Sequence, residues 1–248
     1  MQPPQNPYTP SSYDAPAPRR PEISFDVITQ AWAALQPNLG TYLGAAAVIL
    51  VVSAVFQGLQ GAMTPRSGNG QQEFSMIPLI LGLVGSLINQ FLGGGILRMA
   101  INHLRTGRPE FGDMFSVGDV FINLILAGIV VGIATVLGFC ACIIPGLLLT
   151  GLFMFVNPLI VDKRLGAMDA ISTSFNTLKP QMWMALVFVF VVGLVAVSGL
   201  IACGVGLLVT IPLAVLSIAI TYRNFFDNGQ AMPMVPNYPV APIADPRS

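Results

Sequence analysis

The sequence predicts an all-α, polytopic membrane protein. It should have six transmembrane helices in three hairpins, with amphipathic helices at the cytoplasmic interface. Three observations carry this reading. Only 9% of the 248 residues are charged, against 54% hydrophobic. A soluble domain carries about 25% charged residues, so this chain has too few to cover a wet surface. Six apolar runs approach the ~20 residues that cross a bilayer. The basic residues also divide unevenly between the connections, as in proteins oriented by the positive-inside rule.

The runs lie at about 39–62, 76–97, 120–143, 147–161, 182–202 and 207–222. In hydrocarbon each backbone N–H and C=O must bond within its own segment, so runs of this length predict helices. Pro145-Gly146 is expected to turn the third run into the fourth, and Gly204-Val205-Gly206 the fifth into the sixth. Residues 1–22 hold seven prolines and no apolar core of a signal peptide. The first run therefore reads as an uncleaved span. Residues 228–248 hold five more prolines. Both tails are expected to be disordered, flanking a helical membrane domain over 23–227.

Six spans put the N-tail, the 98–119 and 162–181 connections and the C-tail on one side. That side holds Arg19, Arg20, Arg98, Arg105, Arg108, Lys163, Arg164, Lys179, Arg223 and Arg247, and the other holds only Arg66. Ten against one predicts a cytoplasmic location for the basic side and both termini.

The segments before spans one and five match each other. Phe25, Ile28, Trp32 and Leu35 fall at spacings of three, four and three, and Pro37 follows. Met168, Ile171, Phe175 and Leu178 repeat the spacing 143 positions later, and Pro180 follows. Asp26 and Asp169 also correspond. Such spacing places the four apolar residues on one helical face. Each unit reads as an amphipathic interfacial helix that ends before a proline and feeds a span. Phe111, Met114, Gly118 and Phe121 form a degraded third copy that lacks the proline. Gly146-Leu147-Leu148-Leu149-Thr150 resembles Gly206-Leu207-Leu208-Val209-Thr210, which also suggests three units of interfacial helix plus hairpin.

Ile144-Pro145-Gly146, Pro158-Leu159-Ile160-Val161-Asp162, Ala170, Ser174 and Trp183 together resemble a pattern in bacterial six-helix integral membrane proteins of unknown function. These are related to the membrane domain attached to some glycerophosphodiester phosphodiesterases. The resemblance covers about residues 110–225. It implies an outer Pro-Gly turn, a proline-interrupted span, an amphipathic helix and a bacterial cytoplasmic (inner) membrane location. It implies no phosphodiesterase chemistry, because the soluble catalytic domain has no counterpart in these residues.

Candidate chemistry is sparse. No Asp, Glu, Lys or Arg falls deep in a span as drawn, which counts against proton- or ion-coupled transport. The polar residues within spans are Asn89, Gln90 and Asn157. They could form an intramembrane polar site, since Gly93-Gly94-Gly95 and Pro158 beside them can free backbone groups for a ligand. Interhelical hydrogen bonding is the commoner use. Pro212 is open to a similar choice between kink and packing. Gly40-x-x-x-Gly44 and Gly128-x-x-x-Gly132 suit close helix approach, within one chain or between copies.

Cys140, Cys142 and Cys203 fall near the outer ends of spans three and five. Cys203 could pair with Cys140 or Cys142 on an oxidising face, the three could hold a soft metal, or they could simply fill space. The last is the commonest case. His103, the only histidine, reads as an interfacial residue facing headgroups among Arg98, Arg105 and Arg108. Glu110 and Asp113 lie near it, but no nucleophile motif does.

Net charge is zero, and no basic run resembles a nucleic-acid footprint. No catalytic, cofactor-binding or metal residues are assigned. The leading expectation is a non-enzymatic scaffold or lipid- and envelope-organising protein. Its partners would be membrane lipid and either other membrane proteins or a second copy. The competing expectation is a transporter or permease for a small or lipidic solute, with a cavity lined by Asn89, Gln90 and Asn157.

Overall fold

A computed structural model describes residues 22–64, 76–201 and 206–227. Among them the long elements are α-helices. They are α1 (Asp26–Leu35), α2 (Leu39–Met63), α3 (Met76–Thr106), α4 (Phe121–Ala141), α5 (Ile143–Leu152), α6 (Val156–Lys163), α7 (Ala167–Leu178), α8 (Met182–Ile201) and α9 (Leu207–Phe226). The readings of the two tails, of Arg66, of Cys203 and of Gly204-Val205 lie outside the described residues.

Six helical stretches are long and apolar enough to cross a bilayer: Asp26–Met63, Met76–Thr106, Phe121–Ala141, Ile144–Lys163, Ala167–Gly199 and Leu207–Phe226, with mean hydropathy between 1.5 and 2.6. Their outer surface is apolar. Val51, Val55, Leu79, Leu83, Ile122, Ile133, Leu137, Phe190 and Leu194 all stand exposed. Water would penalise so extensive an apolar surface, whereas lipid tails are as apolar as leucine.

In the packing, α2 lies along α3, α4 on α5, and α8 on α9. Helix α9 also meets α1, α2 and α3, while α6 meets α3, α4 and α7. Ile96, Met99 and Ile101 of α3, Leu159 and Ile160 of α6 and Tyr222 of α9 are among the large side chains buried in the core. The Phe155 ring contacts those of Tyr222, Phe225 and Phe226 there, with centroids 6.0, 5.3 and 5.8 Å away.

Three local expectations are corrected. Helix α3 runs to Thr106, nine residues past the expected end at 97, because no breaker intervenes before Gly107, which adopts φ +77°. The third-to-fourth turn falls at Cys142, with extended φ −171°, ψ 158°, rather than at Pro145-Gly146. Pro145 sits in the first turn of α5, where its missing N–H breaks no ladder bond. The fourth span is broken at Phe153–Phe155, between α5 and α6, and Pro158 lies in the first turn of α6 for the same reason.

The opened backbone at that break is repaired from another helix. Ser174 on α7 donates its hydroxyl to the Leu152 carbonyl at 2.6 Å and accepts the Phe155 N–H at 3.3 Å. Ser174 is fully buried, so both groups are bonded without water.

The repeat has a structural counterpart. Helix α1 joins α2 through a 3-10 turn at Gln36–Asn38, and α7 joins α8 through one at Lys179–Gln181. Pro37 and Pro180 hold equivalent places in these turns. The apolar residues of each helix divide between the bundle and the outer surface. In α1 the buried residues are Val27, Ala31, Ala34 and Leu35; Ile28 is half-buried, and Phe25 and Trp32 are exposed. In α7 they are Ala167, Ala170, Ser174 and Leu178; Ile171 and Phe175 are half-buried, and Met168 is exposed. Small residues form the docking face because they let two helix backbones approach, which leaves the large apolar residues toward the outside.

The third copy is not an α-helix. Phe111–Asp119 forms a 3-10 segment that buries Met114 and Val117. It presses on α3 so closely that a Cβ at Gly95 would overlap the Met114 carbonyl. The glycines at 93–95 therefore do not interrupt α3, which is continuous there. Gly95 instead admits a neighbouring backbone.

Candidate functional site

The ends of α3, α6 and α9 converge, and each carries a basic residue in its last turn: Arg105, Lys163 and Arg223. A helix C-terminus bears partial negative charge, so cations are favoured there. Three aspartates complete the cluster. Asp162 lies in the last turn of α6, Asp227 caps α9, and Asp119 closes the 3-10 segment before α4.

Arg105 stands at the centre. Its guanidinium grips both Asp162 oxygens, the Nη2–Oδ2 bond measuring 2.9 Å, and Nη2 also reaches Asp227 at 3.2 Å. The Asp162 side chain is only 6% exposed. It also accepts the Tyr222 hydroxyl at 2.8 Å. Arg223 donates from Nε to Asp227 at 3.3 Å and from Nη1 to the Leu104 carbonyl. These bonds tie α3, α6 and α9 together by charge-assisted, partly two-pronged contacts, the stronger class of hydrogen bond.

A second group lies beside the first. Arg98 donates to Asp119 at 2.8 and 3.2 Å and to the Ser116 carbonyl. Arg164 meets the same Asp119 carboxylate at 3.1 Å. The Arg98 guanidinium holds the Asp119 carboxyl below the usual carboxylate range. Asn102 donates to Asp113 at 2.9 Å. Arg98, Ile101, Asn102, Arg105, Val161, Asp162 and Arg164 enclose a recess of about 170 Å³.

The polar residues singled out within the spans do not gather at this recess. Asn89 accepts the Ser53 hydroxyl at 2.7 Å and donates to the Gly85 carbonyl at 3.0 Å. Gln90 donates to the Leu124 carbonyl of α4 at 3.1 Å. Both side chains thus bond to neighbouring backbone or helices. Asn157 is exposed on α6, and no hydrogen bond joins it to the other two among the described contacts. Cys140 and Cys142 are exposed free thiols at the far end of α4.

His103 does not face headgroups. It is 5% exposed because its side of α3 turns toward α2. The Tyr42 hydroxyl lies 2.9 Å from Nδ1, and the Asn38 amide lies 3.2 Å from Nε2. This bond pair joins α3 to the α1–α2 junction.

Sequence reading missed the aspartates as a group. Asp162 was noticed only within the family resemblance, and Asp119 and Asp227 not at all. The one available signal was the run of acidic residues at helix ends on the basic side.

No family model matches the chain, and no solved structure matches it. The chain is 26% identical over 192 residues to the uncharacterized protein Rv2560 of Mycobacterium tuberculosis (strain ATCC 25618 / H37Rv), a match covering 74% of this chain and 53% of that protein. The chain thus spans about half the length of the curated relative it matches.

Proposed function

We propose that the chain is a non-enzymatic, multi-pass protein of a bacterial inner membrane that organises lipid, and through lipid its protein neighbours, at the cytoplasmic face. Both termini are cytoplasmic in this reading, and the spans form three hairpins, α2–α3, α4 with α5–α6, and α8–α9. Helices α1 and α7 and the 3-10 segment then lie at the membrane interface.

One observation carries the proposal. The end of the bundle that holds the arginines also turns Phe25, Trp32, Phe111, Phe115 and Met168 outward. Apolar side chains beside cations suit the boundary between headgroups and acyl chains, where phenyl rings bury among the chains and the Trp32 indole can keep its N–H at headgroup level. The basic residues add attraction to anionic lipid, worth about 1 kcal/mol per Lys or Arg near the surface. The transport reading has less support, because Asn89 and Gln90 make contacts of the kind that hold helices together.

The test is lipid analysis of the full chain purified from native membranes in mild detergent. Anionic phospholipid should co-purify at a fixed ratio above that of an unrelated six-span control. Recovery at the control level would refute the proposal. Replacing Asn89, Gln90 and Asn157 together by Leu should leave lipid recovery unchanged, whereas abolished solute uptake in reconstituted vesicles would favour the permease.

A further inference from the structure

We infer that the recess between Arg98, Asn102, Arg105 and Arg164 is a binding site for a phosphate-bearing anion. The inference deepens the reading of this end as the lipid-organising face and rests on it.

The local pattern of ion pairing carries the argument. Arg105 and Arg223 are matched by Asp162 and Asp227. The negative ends of α3, α6 and α9 are each met by a basic residue in the last turn. Arg98 and Arg164 differ, because both depend on the single carboxylate of Asp119. A further carboxylate, Asp113, holds the Asn102 amide and pairs with no guanidinium among the described residues. Arg98 and Arg164 therefore share one ion-pairing carboxylate between them. Lys163, adjacent in sequence to Arg164, is engaged elsewhere, with its ammonium over the Phe226 ring and on the Phe226 carbonyl.

Donor geometry points the same way. A guanidinium presents a rigid fork of N–H donors that matches phosphate oxygens. The Arg164 side chain is 68% exposed and contacts Asp119 through Nη2 alone, so its other donors remain available to an anion. The Arg98 side chain is 15% exposed and fixed, so it forms a wall rather than a mobile arm. Asn102 adds an uncharged amide to the lining. The cavity of about 170 Å³ gives a tetrahedral oxyanion a place between the two arginines.

The backbone adds an independent sign. Arg164 caps α6 in the left-handed region, at φ 53°, ψ 33°, and is the only non-glycine residue at positive φ among those described. Glycine fills this kind of position without strain. A strained non-glycine cap is a pointer to function, and here the strained residue is the one whose side chain reaches the mouth of the recess.

The ligand is a phosphate group, either in a phosphodiester lipid headgroup or free in solution. The experiment uses the full chain in detergent, where binding does not depend on which side of a membrane the recess faces. Native mass spectrometry with added phosphatidylglycerol forms one arm, with phosphatidylcholine as the zwitterionic reference. Titration with inorganic phosphate, followed by thermal unfolding, forms the other.

Arg164→Gly is the informative variant, since it relieves the left-handed strain and should leave the protein at least as stable. It should weaken retention of the anion about tenfold, the scale of one charge-assisted hydrogen bond. Arg108→Gly, at an exposed arginine outside the recess, should change it less than twofold. Selective phosphatidylglycerol retention assigns the site to headgroups, and a phosphate-dependent rise in unfolding temperature without lipid selectivity assigns it to the free anion. Either result requires loss in Arg164→Gly. Equal binding by wild type and Arg164→Gly, or equal losses in both variants, would overturn the inference while leaving the topology untouched.

Discussion

Ser174 bonds the Leu152 carbonyl across two helices, at the point where the fourth span gives up its own ladder. The same hydroxyl takes the Phe155 N–H, so one buried side chain closes both sides of the break. A span interrupted in hydrocarbon persists only when its freed backbone groups find partners, and here the partner comes from α7.

Removing that hydroxyl should therefore cost more than an ordinary serine deletion. Ser174→Ala strands a carbonyl and an N–H in a dry site, and the expected loss is about 1–3 kcal/mol. Ser172→Ala, at an exposed neighbour on α7, should be nearly neutral. Reversible unfolding in mixed micelles measures both. Equal effects from the two variants would mean that water, not Ser174, satisfies the break.

Gly95 sits where the 3-10 segment touches α3. A methyl group there meets the Met114 backbone, which cannot rotate away. Gly95→Ala should destabilise the fold by about 1–3 kcal/mol through overpacking, and so lower the unfolding temperature. Gly93→Ala meets no atom within 4 Å and should be neutral or slightly stabilising through helix propensity. A thermal-shift comparison of the two separates steric contact from helix flexibility.

The spans were legible because hydrocarbon leaves the chain few choices. Leu39 as the start of α2 and Met76 as the start of α3 follow from composition alone. The breaks were less legible. Pro145 and Pro158 read as interruptions, yet both lie in the first turn of a helix, where proline is tolerated. The interruption falls instead at Phe153–Phe155, which carries no breaker residue and depends on Ser174 from elsewhere in the chain. The residues on which α1 and α7 dock were hard to see for a related reason. Trp32 and Met168 dominate an apolar pattern, but Ala31 and Ala170 let the helices dock. The charged recess was hidden in the sequence because Arg105 lies 57 residues from Asp162 and 122 from Asp227.

Arg105 and Asp162 should be energetically coupled. Asp162→Asn and Arg105→Gln should each destabilise the bundle, and the double variant should cost less than the sum of the two. A coupling of about 1–3 kcal/mol is expected for a contacting pair. Tyr222→Phe removes only one uncharged donor from Asp162 and should cost about 1 kcal/mol. Additive single effects, measured by micelle unfolding, would show that the pair is spectator to the fold.

The Arg98–Asp119 pair sets a pH dependence. Because Asp119 titrates below its ordinary value of about 3.9, the pair stabilises the folded state fully above that value. The contribution is lost as pH falls through the lower folded value. The advantage of wild type over Asp119→Asn should be constant above about pH 5 and vanish in stronger acid. Its size should be modest, about 1 kcal/mol or less, because Asp119 is exposed. An advantage that grows on acidification would contradict the pairing.

The account depends most on the two ends of the bundle lying on opposite sides of a bilayer. Cys140 and Cys142 are exposed thiols at one end, and Arg164 is exposed at the other. With Cys203 replaced by Ala, a membrane-impermeant maleimide applied to intact spheroplasts should label the native thiols. A cysteine placed at Arg164, in a chain otherwise free of cysteine, should react only after permeabilisation. Labelling of both positions from the same side of intact spheroplasts would contradict the six-span arrangement.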